Sequence, residues 1–137
     1  MAARSPDVAA SVEGLVSAIH DEIAANEPGF RRLLQLSIAQ SATDRPSVAT
    51  IRGERRLQWI EQAVEPIAAE IDSDSLRRLS SALALCVGAE AFVVLRDLCG
   101  LESEQADDTL GWAARALVNA ARSDAQLRKP HSTKRPS

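Results

Sequence analysis

The chain has little of what most β-rich, disulfide-bonded or membrane proteins contain. Its 137 residues include no tyrosine, two tryptophans, two phenylalanines and six glycines, a composition that disfavours a turn-rich β-protein. Two cysteines are too few for a disulfide framework, and neither His20 nor His131 has partners at metal-ligand spacing. No uninterrupted apolar run is long enough to span a bilayer, and the N-terminus has no signal-peptide profile. These absences predict a soluble, cytoplasmic, all-helical protein without metal or cofactor.

Charge is distributed unevenly along the chain. Residues 1–125 carry 12 Arg and all 19 acidic residues, a net charge of −7, whereas residues 126–137 carry four basic residues and no acidic one. An acidic body repels the phosphates of DNA rather than attracting them. The C-terminal segment also contains two prolines and no apolar period. We therefore predict one folded domain over residues 1–125 and a basic disordered tail over residues 126–137.

Apolar residues repeat at helical spacing through most of the chain and predict five helices. The first begins after the Ser-Pro-Asp sequence at residues 5–7, where a capping hydroxyl precedes a proline and an acidic residue. Pro28 ends this helix and opens the second. Residues 41–53 mix Pro, Gly, Ser and Thr without a period and are predicted as a loop. The third helix covers about residues 54–71.

The fourth predicted helix is unusually apolar. It begins at the Asp-Ser cluster of residues 72–75 and ends at Gly100, and Glu90 is its only charged residue between positions 82 and 95. A helix that is apolar nearly all round must be covered on several sides. Helical geometry separates two opposite faces. One face carries Ala84, Gly88, Ala91 and Leu95, and the other carries Leu83, Cys86 and Glu90.

The fifth predicted helix, which begins near Ser103, has the clearest amphipathic pattern. Its apolar stripe consists of Leu110, Ala113, Ala114, Leu117, Val118 and Ala121. Small side chains let a partner helix approach closely, and five helices cannot easily cover the fourth helix and bury this stripe as well. We predict a homodimer in which this stripe and the Gly88 face of the fourth helix form a four-helix bundle with their copies. The alternative is a monomer whose fifth helix packs on its own core.

Four short motifs and one longer segment carry a family resemblance. The motifs are Arg52-Gly53-x-Arg55-Arg56-x-x-Trp59, Gly88-x-Glu90-Ala91, Asp97-x-x-Gly100-Leu101 and Trp112-Ala113-x-Arg115-Ala116-Leu117, and the segment is EPGFRRLLQLSIAQS. Over residues 8–123 the chain resembles the C-terminal regulatory domain of tetracycline-repressor (TetR) family regulators. The resemblance implies an all-helical domain that dimerises through its last two helices and encloses a small-molecule pocket. Family members normally also carry an N-terminal helix-turn-helix domain, for which no room precedes the helix that begins by Val8.

Glu90 is the most informative polar residue. A carboxylate within an apolar helix must be paired, hydrogen-bonded or protonated. It is either a polar anchor in a ligand pocket or half of a structural ion pair with an arginine such as Arg31, Arg56 or Arg115. We predict a pocket lined by Leu34, Trp59, Gln62, Leu83, Cys86 and Glu90.

These observations predict the ligand-sensing and dimerisation domain of a TetR-like transcriptional regulator. Its partners would be a second copy and an apolar small-molecule effector, with DNA engaged only if a helix-turn-helix domain is supplied elsewhere. Two alternatives are a stand-alone dimeric module that binds a small molecule and an antagonist that pairs with a full-length relative. An enzyme is not expected, because the chain has no nucleophile elbow, phosphate-binding loop, HExxH motif or paired carboxylates.

Overall fold

The computed structural model describes residues 7–41 and 46–128, and every regular element within these ranges is helical. The α-helices are α1 (Val8–Ala25), α2 (Glu27–Ser41), α3 (Pro46–Val64), α4 (Ser73–Leu85), α5 (Ala89–Val93) and α6 (Ser103–Arg128). A 3₁₀ turn (Glu65–Glu70) follows α3, and a π-helical turn (Val94–Leu98) follows α5. The predicted all-α class is confirmed, but the described residues form six helices rather than five.

Aspartate side chains cap the N-termini of two of the helices. Asp7 accepts a hydrogen bond from the Ala10 amide at 3.1 Å, and Asp72 accepts one from the Ser75 amide at 2.7 Å. Each carboxylate satisfies an amide that has no partner within the helix and lies at the positive end of the helix dipole. The predicted cap hydroxyl of Ser5 lies outside the described residues, and Asp7 caps α1 instead.

Two of the predicted boundaries need correction. Residues 46–53, predicted as a loop, form the first turns of α3, and residues 42–45 lie outside the described residues. Pro46 is compatible with this helix because the first helical position needs no amide hydrogen. At the other end of the chain, α6 continues to Arg128. Residues 126–128 of the predicted tail are therefore helical, and residues 129–137 lie outside the described ranges.

The predicted fourth helix is not continuous. It breaks after Leu85 and resumes at Ala89, and Gly88 between them has a φ of +112° and a ψ of −179°. That backbone conformation is essentially restricted to glycine, and Gly88 is the residue that precedes the first turn of α5. Within the described ranges, no single helix is long and apolar enough to cross a membrane. The segment Ser73–Leu85 taken together with Ala89–Leu98, bent by 49°, does meet the length and composition criteria.

The longest helix, α6, runs antiparallel to α1 and is covered by it. Ser17 donates to Asp107 at 3.1 Å, and Arg115 donates to Glu13 at 2.8 Å. The later residue of α1 thus contacts the earlier residue of α6, as expected for antiparallel helices. The α6 stripe that was predicted to form a dimer interface lies inside the chain's own core. Its most buried members are Leu110, Ala114 and Val118, which are 7%, 0% and 0% exposed. Within the single chain, the stripe is therefore covered by the chain's own helices.

An ion pair ties α2 to the π-helical turn. Arg31 donates to both carboxylate oxygens of Asp97, at 2.7 and 3.0 Å, and also to Glu27 one turn back on α2. The hydrogen bonds from Arg31 hold the pKa of Asp97 below its ordinary value of 3.8. Asp97 is about half exposed, so solvent screens this pair and its contribution to stability is modest.

The Asp97→Asn variant is expected to unfold at a slightly lower denaturant concentration than the parent at pH 7. A carboxylate with a lowered folded-state pKa stabilises the protein above its unfolded pKa, and that stability is lost as the pH falls through the folded value. The gap between the two proteins should therefore be complete above about pH 5 and should close below the ordinary value of 3.8. Urea unfolding curves measured across this range test the expectation, and a gap that stays constant with pH would contradict it.

Candidate small-molecule site

A cleft of about 620 Å³ lies between α1, α2, α3 and the joint between α4 and α5. Small-molecule pockets typically measure roughly 300–1,000 Å³, so the cleft has the right size for one. The described residues that line it are Ile19, Glu22 and Ile23 from α1, Phe30, Leu33 and Leu34 from α2, Arg55, Arg56, Gln58 and Trp59 from α3, and Val87, Gly88, Ala89 and Glu90 from the joint.

Apolar side chains form one wall of the cleft. Ile19 and Ile23 lie one turn apart on α1, and α2 contributes an aromatic and two leucine side chains. Trp59 from α3 and Leu33 from α2 remain 39% and 45% exposed, although both are large and apolar. An apolar ligand would cover surface that the fold itself leaves in contact with water, and removing such surface from water is favourable.

An arginine–glutamate pair forms the polar side. Arg56 reaches Glu90 through two nitrogens, with Nη1 3.0 Å from Oε1 and Nη2 3.3 Å from Oε2. Arg56 Nη1 also donates to the carbonyl oxygen of Val87 in the joint between α4 and α5. The Arg56 side chain is 14% exposed and that of Glu90 is 36% exposed. The structure thus gives Glu90 the ion pair that the sequence left open, and this pair stands in the lining of the cleft.

Gly88 explains how Arg56 reaches the joint. The Nη1 atom of Arg56 lies so close to the α-carbon of Gly88 that it would collide with any side chain there. Glycine suits this position for two reasons: it has no Cβ that would collide with Arg56, and it tolerates the positive φ. Gly88, predicted to admit a partner helix at a dimer interface, instead admits an arginine of its own chain.

A second arginine, Arg55, lines the same cleft. Its guanidinium carbon lies 6.0 Å from the centre of the Trp59 ring, which is the geometry of a cation–π contact. Across the cleft, Glu22 extends from α1 and is exposed. The cleft therefore combines an apolar wall with two arginines and two glutamates, of which Arg56 and Glu90 are paired.

The structure places the six predicted pocket residues in two groups. Leu34, Trp59 and Glu90 line the cleft. Gln62 is exposed one turn after Trp59 and lies outside the lining, while Leu83 and Cys86 are 0% and 9% exposed in the core. The reason is the break at Gly88: on a straight helix, Leu83 and Cys86 would share a face with Glu90. Burial raises the pKa of the Cys86 thiol, which therefore behaves as a small apolar core group.

Nine of the ten residues predicted for the dimer interface contact the interior of the chain, and the tenth, Gly88, lines the cleft. Ala91 is buried at 8% exposure, alongside the three α6 residues already described. The remaining members are partly buried and pack against the same core, namely Ala84, Leu95, Ala113, Leu117 and Ala121. Within the single chain, α1 lies along the apolar stripe of α6.

The sequence did not single out several residues that line the cleft. Ile19, Ile23, Phe30 and Leu33 belong to the apolar stripes of α1 and α2, and nothing in their spacing distinguishes them from true core positions. His20 is buried at 3% exposure, and its Nε2 atom lies 3.1 Å from both the carbonyl and the hydroxyl oxygen of Ser103. No group of three or more potential metal ligands occurs within the described residues.

Comparisons with known proteins add no relative to this picture. Neither a protein-family model, nor a curated protein, nor a solved structure matches the chain. The TetR-like interpretation accordingly stays a prediction that rests on the sequence motifs, and the cleft is interpreted from its own residues.

Proposed function

We propose that the chain is the ligand-sensing domain of a TetR-like transcriptional regulator and that the cleft is its small-molecule site. The observation that carries the proposal is the cleft itself, about 620 Å³ of space that joins partly exposed apolar side chains to an arginine–glutamate pair. Sites for small molecules are mostly apolar with a few polar groups that orient the ligand. The sequence resemblance supports the regulatory part of the proposal, and DNA would be engaged only through a helix-turn-helix domain supplied elsewhere.

Binding is favoured over catalysis by the chemistry of the lining. Among the described residues that line the cleft there is no serine, cysteine, threonine or histidine to act as a nucleophile or as a base near neutral pH. A stand-alone binding module, without any role in DNA control, is the second candidate. The net charge of −7 over residues 1–125 favours it, because this part of the chain repels nucleic acid.

An apolar ligand that fills the cleft should raise the melting temperature of the protein and change the emission of Trp59. Ligands that bind only the folded state stabilise it by mass action, by about 2.7 kcal/mol at one hundred times the dissociation constant. Thermal-shift screening of a small-molecule collection tests the first effect. Titration of the Trp112→Phe variant, whose only tryptophan is Trp59, tests the second. No thermal shift in a broad screen and no change in Trp59 emission would contradict the proposed site.

We also propose that the domain forms a homodimer, through a face of α6 different from its buried stripe. Two large apolar side chains on this outer face, Trp112 and Leu127, are 65% and 81% exposed. The small residues Ala116, Ala120 and Ser123 lie between them at helical spacing on the same face. If two copies of α6 pack antiparallel about an axis near Ala120, Trp112 of each copy lies against Leu127 of the other. Both side chains then leave water, and the small residues let the two helices approach closely.

Sedimentation equilibrium at micromolar concentration should give about twice the chain mass of 14.7 kDa. The Trp112→Glu and Leu127→Glu variants should each sediment as a single chain with an unchanged helical circular-dichroism signal. Leu98→Glu is the matched control, because Leu98 is 81% exposed on the π-helical turn rather than on α6. A monomeric parent protein, or a dimer that both α6 variants leave intact, would refute this interface.

A further inference from the structure

Two arginines line the cleft, and they differ in whether their charge is already paired. Arg56 is bound to the carboxylate of Glu90 and to the carbonyl of Val87. Arg55 makes no hydrogen bond and no ion pair with any side chain that the structure describes. The N–H groups of Arg55 are therefore available to a bound molecule, whereas Arg56 is already engaged.

The Trp59 ring holds the Arg55 guanidinium at the cleft. The two residues lie one turn apart on α3, and the guanidinium carbon is 6.0 Å from the ring centre. An arginine that lies over an aromatic face still presents N–H groups at the edges of its guanidinium plane. Both side chains are exposed, and both line the cleft. A molecule that covers the Trp59 ring from the cleft therefore comes within reach of Arg55.

We infer that the cleft binds a carboxylate with an apolar chain, its carboxylate on Arg55 and its chain along Trp59, Leu33 and Leu34. This inference rests on the proposed function, because it names the class of ligand for the same cleft. Two N–H groups of one guanidinium can bind the two oxygens of one carboxylate, which gives arginine its selectivity for planar anions. Leu33 and Trp59, 45% and 39% exposed, offer the apolar surface that the chain covers. Arg56 and Glu90 keep their contact throughout.

An anionic head group is favoured over a cationic one, although the cleft also contains an exposed glutamate. Glu22 lines the cleft from α1, but no side chain that the structure describes makes a hydrogen bond or an ion pair with it. A cation bound there would have to order a carboxylate that nothing orients beforehand, and ordering such a side chain lowers affinity. Arg55 already has a contact with Trp59 that restricts it. An anion therefore gains more from Arg55 than a cation gains from Glu22.

Calorimetric titrations with octanoate, 1-octanol and octylammonium separate the head group from the chain, because the three probes share the same apolar tail. Octanoate should bind the parent protein about five-fold more tightly than octylammonium. The difference is limited because Arg55 is exposed and solvent screens its charge. For the same reason, raising the salt concentration should weaken the binding of octanoate and leave that of 1-octanol unchanged.

The Arg55→Gln variant should bind octanoate about five-fold more weakly than the parent does, with its affinity for 1-octanol unchanged. Arg32→Gln is the matched control, because Arg32 is an exposed arginine of α2 that does not line the cleft. It removes the same net charge and should change octanoate affinity by less than about two-fold. Since both arginines are exposed, both variants should keep the helical circular-dichroism signal of the parent.

Three outcomes would overturn the inference, and they bear differently on the proposed function. Equal weakening of octanoate binding in Arg55→Gln and Arg32→Gln would indicate a general charge effect rather than a contact with Arg55. Octylammonium that binds more tightly than octanoate, and loses this advantage in Glu22→Gln, would show that the cleft takes a cation instead. In both cases the cleft remains a small-molecule site. If none of the probes binds the parent or any variant, both the ligand class and the cleft as a site for apolar chains are refuted.

Discussion

Replacing Gly88 with alanine is expected to lower the free energy of unfolding by about 3 kcal/mol. Gly88 has a φ of +112°, a backbone region that residues other than glycine rarely adopt. A Cβ at this position would also collide with Nη1 of Arg56 and would force its guanidinium away from Val87 and Glu90. Urea unfolding followed by circular dichroism measures the change.

Two other glycines provide matched controls. Gly14 lies in the middle of α1 with no neighbouring atom within 4 Å of an added Cβ, so Gly14→Ala should stabilise the protein by up to about 1 kcal/mol. Gly100 has a φ of +69° but also has open space around it, so Gly100→Ala should cost only about 1 kcal/mol. If Gly88→Ala proved no more harmful than Gly100→Ala, the contact between Gly88 and Arg56 would carry none of the stability assigned to it.

Shortening Leu83 to alanine should destabilise the protein by about 3–4 kcal/mol, whereas the same change at Leu85 should alter stability by less than about 0.5 kcal/mol. The two leucines lie two positions apart on α4, and their exposures are 0% and 78%. The loss at Leu83 combines the transfer of apolar atoms from the core with the cavity left behind. Thermal or urea unfolding of the two variants provides the comparison, and similar losses at both positions would mean that α4 faces the core differently.

Periodicity in the sequence was sufficient to predict which face of most helices is buried. Val8, Val12 and Val16 follow the helical period of α1, and each is 1% exposed. The same reasoning failed where one residue changes the direction of the chain. Gly88 lies within a continuous apolar segment of the sequence. Its positive φ and its close contact with Arg56, which is distant in sequence, are not visible in the periodicity.

The break at Gly88 explains why only some of the predicted pocket residues line the cleft. Glu90 and Trp59 line the cleft, whereas Leu83 precedes the break and lies in the core. The apolar stripe of α6 was assigned to a partner subunit because the pattern shows that a face is buried and does not show what buries it. Here α1 covers that stripe, with Ser17 bonded to Asp107 beside it.

The central claim is that the cleft beside Arg56 and Glu90 binds a small molecule with an apolar chain. Two-dimensional ¹H–¹⁵N NMR of the whole chain during an octanoate titration tests it most directly, because the chain has two indole N–H signals, which the Trp112→Phe variant assigns. The account predicts saturable shifts of the Trp59 indole and of the Gly88 and Ala89 amides, while the Trp112 indole stays in place. Shifts that do not saturate, or that centre on Trp112 rather than on Trp59, would contradict it.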